Sequence, residues 1–115
     1  MKEGGEIVLF MTATRQELPF VAKDVAAEIA RWLGHLGAER RMSAKTVEAY
    51  ERDVRQFLMF MAEHLGAPPN LAELAKLTPQ DVRAFMAARR SDGIGGRSLM
   101  RGLAGMRSFA RSLER

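Results

Sequence analysis

The stretch from Ser43 to Leu65 restricts this chain more than any other. Its apolar residues recur at helical spacing: Val47, Tyr50, Val54, Phe57, Leu58, Met61 and Leu65. Lys45, Arg52, Gln56 and Glu63 lie nearly opposite them. At about 3.6 residues per turn this sorting makes a long amphipathic helix with one side to bury. Ser43 is a good N-cap, and Gly66 followed by Pro68 and Pro69 stops the helix. Such a helix folds only if other elements cover its apolar side.

Those elements are legible on both flanks. Val25, Ile29, Leu33 and Leu36, with Trp32 beside them, predict a helix from about Val21 to Gly37. Leu71–Leu77 predicts a single turn or an ordered connector. Thr78-Pro79-Gln80-Asp81 restarts a helix: Thr78 can cap, Pro79 suits the first position, and Asp81 sits where the dipole favours an acid. That helix carries Val82, Phe85 and Met86 and ends near Arg90. The glycine-rich loop Ser91–Gly96 feeds a last helix from about Arg97 to Leu113. No segment alternates as a strand does, and no heptad pattern persists. The expected fold is all-α, a small four-to-five-helix bundle over residues 21–115, preceded by a flexible arm at residues 1–20.

Composition removes several function classes. The 115 residues suit one domain, and 47% hydrophobic content supplies a core. With no cysteine there are no disulfides, thiolate metal sites or cysteine nucleophiles. The apolar run Ile7–Met11 is far too short to span a bilayer, which takes about 20 residues, so no membrane partner is expected. The eight methionines sit mostly at helical core spacing. His35 and His64 lie on different helices without an acid cluster at ligand spacing, so no metal is expected. No serine or threonine has an adjacent histidine to activate it. Tyr50, on the apolar stripe, is expected to be a half-buried ring. Gly93, Gly95 and Gly96 precede a helix, but no strand leads into them and no Lys-Ser/Thr follows, so they form a hinge rather than a nucleotide loop. No cofactor and no small-molecule substrate are expected, and nothing here makes a self-contained enzyme.

Charge points elsewhere. The net charge is +4, yet residues 1–40 sum to −1, so the basic character lies beyond them. Arg97, Arg101, Ser108, Arg111 and Arg115 fall within roughly 40° of one line along the last helix. Leu99, Leu103, Met106, Ala110 and Leu113 fall on the other side, where a core is expected. Acids that would neutralise the basic line are absent within this helix until Glu114. Ser43-Ala44-Lys45-Thr46 offers hydroxyls, free backbone N–H groups and a lysine at a helix start, a cradle for one phosphate. These two elements favour a nucleic acid, DNA or RNA, as the partner. A helix-turn-helix regulator and an adaptor for an acidic protein remain as rival readings. The six-residue glycine loop fits the tight turn of the first poorly.

Three segments, in order, resemble the N-terminal core-binding (SAM-like) domain of tyrosine recombinases of the phage-integrase family, closest to its Xer branch. They are Glu39-Arg40-Arg41-Met42-Ser43-Ala44-Lys45-Thr46 continuing through Tyr50, Asp53 and Phe57, then Leu77-Thr78-Pro79-Gln80-Asp81-Val82-Arg83-Ala84-Phe85, then Ser98-Leu99-Met100-Arg101-Gly102-Leu103 with Arg107 and Phe109. The resemblance covers residues 25–115. It implies that Ser43, Lys45 and Thr46 contact phosphate, with Arg52 and Gln56 along the same face. It implies that Arg97, Ser98, Arg101, Ser108 and Arg111 line the major groove of a recombination half-site. Arg107 is then at the flank of that face, touching phosphate or pairing with Asp53. The resemblance further implies a separate catalytic domain with the nucleophilic tyrosine, absent from these 115 residues, so the chain alone is expected not to cleave DNA. A second, XerD-like subunit in a four-subunit synapse, chromosome dimer resolution and a cytoplasmic location follow from the same resemblance. Helix one would make the protein contact, with Trp32 exposed until assembly, whereas the residues alone favour Trp32 as a core or core-rim tryptophan.

Overall fold

The long helix expected after Ser43 spans Ala44–Leu65. The computed structural model describes residues 20–38 and 40–114. Among the described residues there are five helices and no strand: α1 Lys23–Ala38, α2 Ala44–Leu65, α3 Leu71–Leu74, α4 Pro79–Ser91 and α5 Gly96–Leu113. The expected arm falls outside the described residues except for Phe20, which packs against the core and so belongs to the bundle. Arg115, the last member of the arginine line, also lies outside them.

Local signals set the helix ends. The Ser43 side chain accepts from the Thr46 backbone N–H at 3.2 Å, starting α2. Gly66 closes it at φ 83°, a left-handed conformation that glycine adopts without a Cβ clash. Asn70 with Glu73, and Thr78 with Asp81, each form a reciprocal capping box. The stretch at 71–77, expected to be a turn or connector, is the one-turn helix α3 followed by a turn.

The centre of the bundle is the contact between α2 and α5. Val54, Phe57, Leu58 and Met61 of α2 are buried, with Val25, Ile29, Trp32 and Leu36 of α1 against them. Phe57 meets Phe85 of α4 edge-on, with ring centroids 5.2 Å apart. α5 buries Leu99, Gly102, Gly105, Met106, Phe109 and Ser112. This corrects the expected core line of α5. Leu103 and Leu113 are only partly buried and Ala110 is exposed. The buried arc is turned by roughly 75° toward the glycines. A Cβ on Gly105 would lie 3.4 Å from Cγ of Tyr50, and one on Gly102 3.8 Å from Cγ of Asp53. The two helices approach through that glycine side.

Trp32 takes the core position that the residues favour, and its reading as a partner contact is corrected. Its side chain is 1% exposed, so it is not a surface contact in this chain. The indole N–H donates to Ser108 Oγ at 2.9 Å, and the ring stacks on Tyr50 and tilts against Phe109. The hydroxyl on the neighbouring helix satisfies the indole N–H, which makes full burial tolerable. From the same helix, Arg31 donates to the Ser112 carbonyl at 3.1 Å, capping the end of α5.

Candidate nucleic-acid interface

Tyr50 lies over Gly105 and Asp53 over Gly102, so α2 and α5 run antiparallel. The start of α2 therefore stands beside the C-terminal half of α5. Seven of the expected site residues line two clefts along that contact, while Ser43, Lys45, Thr46 and Arg97 line neither. The first cleft, at the start of α2, is lined by Arg40, Met42, Tyr50, Arg107, Ser108 and Arg111. The second, further along α2, holds Arg52, Gln56, Arg89, Ser98 and Arg101 around Asp53.

In the first cleft Arg107 and Arg111 are exposed, and neither they nor Arg40 has an acidic partner among the described residues. Three guanidinium groups around one concavity, with no acid among the described residues to compensate them, attract anions and match phosphate oxygens with forked donors. Ser108 is half-buried, and its oxygen accepts the Trp32 indole N–H, so its first duty is to the core. Its own O–H remains a donor. At the adjoining start of α2, Ser43 Oγ donates to Thr46 Oγ1 at 2.9 Å while capping the Thr46 N–H. Both hydroxyls are thus held in the cap. Lys45 is exposed, and the first turn of α2 carries no acid, so the positive end of the helix dipole is uncompensated.

The second cleft contains the clearest electrostatic feature. Arg101 donates to Asp53 through Nε at 2.9 Å and through Nη2 at 3.3 Å. The Asp53 side chain is 8% exposed and that of Arg101 39%. The hydrogen bonds to Asp53 raise the Arg101 pKa above its ordinary value, so its charge is fixed at any physiological pH. This overturns the suggested pairing of Asp53 with Arg107: the turn of α5 facing Asp53 is the one carrying Gly102. Arg101 is consequently half neutralised and held in place, whereas Arg97 and Arg52 project freely as exposed side chains. Gln56 and Ser98 are half-buried between them.

Sequence reasoning missed three features here. Arg40 joins Arg107 and Arg111 only because the α1–α2 connection folds back onto α5. Arg89 reaches the second cleft from α4. Gly95 caps α5 with no side-chain hydrogen bond, and the first turn of α5 carries no acid. The helix thus offers a second set of open N–H groups beside Arg97. The missing cap residue and missing acid were visible signals for the last of these. Among the described residues no cluster of metal-ligating side chains exists, and no helix is long and apolar enough to cross a membrane.

A five-helix fold with this paired, basic α2–α5 surface defines the chain's class. It belongs to the phage integrase N-terminal SAM-like domain family, whose model matches residues 29–115. It is similar to the tyrosine recombinase XerC of Nitrobacter winogradskyi, at 62% identity over 94 residues, covering 82% of this chain and 29% of the relative. It is 57% identical to the tyrosine recombinase XerC of Bradyrhizobium diazoefficiens over 103 residues, 90% of this chain and 32% of the relative. The corresponding protein of Rhizobium meliloti is 58% identical over 92 residues, 80% of this chain and 29% of its own length. The chain thus spans about a third of the length of these curated relatives. No solved structure matches it.

Proposed function

We propose that this chain is the DNA-gripping helical part of a site-specific tyrosine recombinase, covering one face of a double-stranded half-site. The observation that carries this reading is the set of arginines without acidic partners among the described residues, Arg40, Arg97, Arg107 and Arg111, around the α2–α5 contact. Lys45, the Thr46 hydroxyl and the open N–H groups of the first turn would hold a phosphate at the start of α2, with Ser43 fixing that turn as its cap and Arg52 and Gln56 farther along. Arg97, Ser98, Arg101, Ser108 and Arg111 would face the groove, and Arg107 its edge. Arg101, braced by Asp53, is the member best suited to a fixed bidentate contact with a guanine edge. Neutralised phosphates would supply most of the affinity and a steep salt dependence.

The whole recombinase would add the strand-cleaving chemistry, act with a second, XerD-like subunit in a four-subunit synapse, and resolve chromosome dimers in the cytoplasm. Trp32, being interior, would shape α1 for subunit contact rather than touch a partner. The helix-turn-helix reading loses support for a different reason than loop length. The α4–α5 link is only residues 92–95, short enough for such a motif, but α5 packs chiefly on α2 and not on the helix before it.

The test is duplex binding by the full chain across a salt series. Replacing Arg97, Arg107 and Arg111 together by alanine should flatten the log–log slope by up to about 0.9 for each phosphate that is no longer neutralised. These three leave the Asp53 pair intact. An unchanged slope, or no duplex binding by the parent chain at low salt, overturns the reading and favours the acidic-protein adaptor.

A further inference from the structure

The exposed side of α5 is not purely cationic. Met100 is 60% exposed, and the other exposed large apolar side chains among the described residues, Met59 and Leu65, belong to α2. At about 100° per residue, Met100 points almost directly away from the buried arc around Gly102, Gly105 and Phe109. Arg97, Ala104, Arg107 and Arg111 lie within about 60° of it on the same helix. All four are exposed. A lone exposed methionine on a mixed surface is ordinary. This one lies outside the core, near the centre line of a face whose exposed arginines have no acidic partner among the described residues.

We propose that Met100 is a specificity-determining residue that packs on the methyl group of a thymine in the major groove. The inference rests on the reading of this face as the one that meets a DNA duplex. Arginines there find phosphates and guanine edges, but neither gives an apolar side chain anything to bury against. Of the groups that base pairs present in the major groove, the thymine C5-methyl is the apolar one. Covering it with the Met100 side chain removes apolar surface from water on both partners. Methionine suits this contact, because an unbranched, polarisable chain with three rotatable bonds follows a methyl group without moving the helix. Ala104, one turn farther along, is small and lines the first cleft, so base edges can come close at that point. Charge sets the register. Arg97 precedes Met100 by one turn, and Arg107 and Arg111 follow it by about two and three turns. A duplex drawn to those arginines brings its base edges to the apolar residue between them.

The probe is a DNA duplex recovered by the full 115-residue chain from a random-sequence library at low salt. Each of its thymines is replaced singly by uracil, which pairs identically and lacks only the methyl group. At one or two positions uracil should weaken binding by the parent chain about three- to tenfold. Met100→Ala should weaken binding to the thymine duplex by a similar factor and show no further loss with uracil at those positions. Its log–log salt slope should match the parent's, because no phosphate contact is removed. Its melting curve should match as well, because Met100 lies outside the core. Met100→Leu should keep the preference for thymine. An affinity indifferent to every uracil overturns the proposal and leaves the arginine reading intact. So does a Met100→Ala chain that still prefers thymine at the same positions, or one with a shallower salt slope. Failure to recover any duplex overturns both.

Discussion

α2 and α5 press against each other, yet they follow different rules. On α2 the large apolar residues mark the buried side: Val54, Phe57, Leu58 and Met61 are all buried. On α5 small residues share it with large ones, Leu99, Met106 and Phe109. Gly102, Gly105 and Ser112 are buried, while Leu103 and Leu113 are half-open and Met100 is 60% exposed. The difference comes from which helix brings the bulk. α2 and α1 supply Tyr50 and Trp32, and α5 has to make room for them. A hydrophobic count therefore locates the core side of the helix that fills space and misplaces that of the helix that yields it.

The largest expected effect tests that division of labour. Trp32→Ala empties the space that α5 was shaped to accept and strips Ser108 of its partner. It should lower unfolding free energy by about 3–5 kcal/mol in urea titration. A drop under about 1 kcal/mol would mean that α5 simply collapses into the gap. Next comes the reverse change, bulk added on the yielding side. Gly105→Leu drives a branched side chain into Tyr50, whose Cγ and Cα lie 3.4 and 3.5 Å from the first added atom. It should cost about 1–3 kcal/mol. Gly102→Ala adds a single atom in ordinary contact with Asp53 and gains helix propensity, so it should stabilise by up to about 1 kcal/mol. If both glycine changes move stability alike, space is not what separates the two helices.

What was legible in the sequence follows the same line. Ser43, Gly66 and the Thr78–Asp81 box were readable because each signal and its partner lie within one turn. Trp32 was legible as a core residue but its partner was not, because the hydroxyl that makes its full burial tolerable is 76 residues away, on a helix whose rotational setting the glycines decide. The same setting explains why Asp53 pairs with Arg101 rather than Arg107. Arg97 and Arg111 were placed correctly on the exposed side, since an arginine line needs no partner to be seen. Arg40 and Arg89 were missed because only the tertiary fold carries them to α2 and α5.

A smaller effect contrasts a local cap with the tertiary contact. The Asp81 carboxyl is held below the ordinary aspartate value of 3.8, chiefly by the Thr78 backbone N–H, then by the Thr78 hydroxyl, with His64 adding a weaker pull. A depressed folded-state pKa contributes stability above the unfolded value, lost as pH falls through the folded one. Melting temperature should therefore drop on acidification below about pH 4, and the drop should be shallower in Asp81→Asn. Thr78→Ala should cost about 1 kcal/mol at neutral pH. An identical acid limb in Asp81→Asn would move the effect to other carboxylates.

The smallest effects on stability belong to the arginines, and their smallness is what makes them informative. Arg97 and Arg111 are exposed, with no acidic partner among the described residues to release and no core to expose. Each alanine change should leave unfolding free energy within about 0.5 kcal/mol of the parent. Arg101 is the internal control, because its removal leaves Asp53, 8% exposed, without its ion-pair partner. Arg101→Ala should therefore destabilise by about 1–3 kcal/mol. A protein that keeps its melting curve while losing duplex affinity in Arg97→Ala and Arg111→Ala separates binding from folding on one helix. If those two changes instead unfold the chain as Arg101→Ala does, the exposed side of α5 is structural, and the contrast between its two sides disappears.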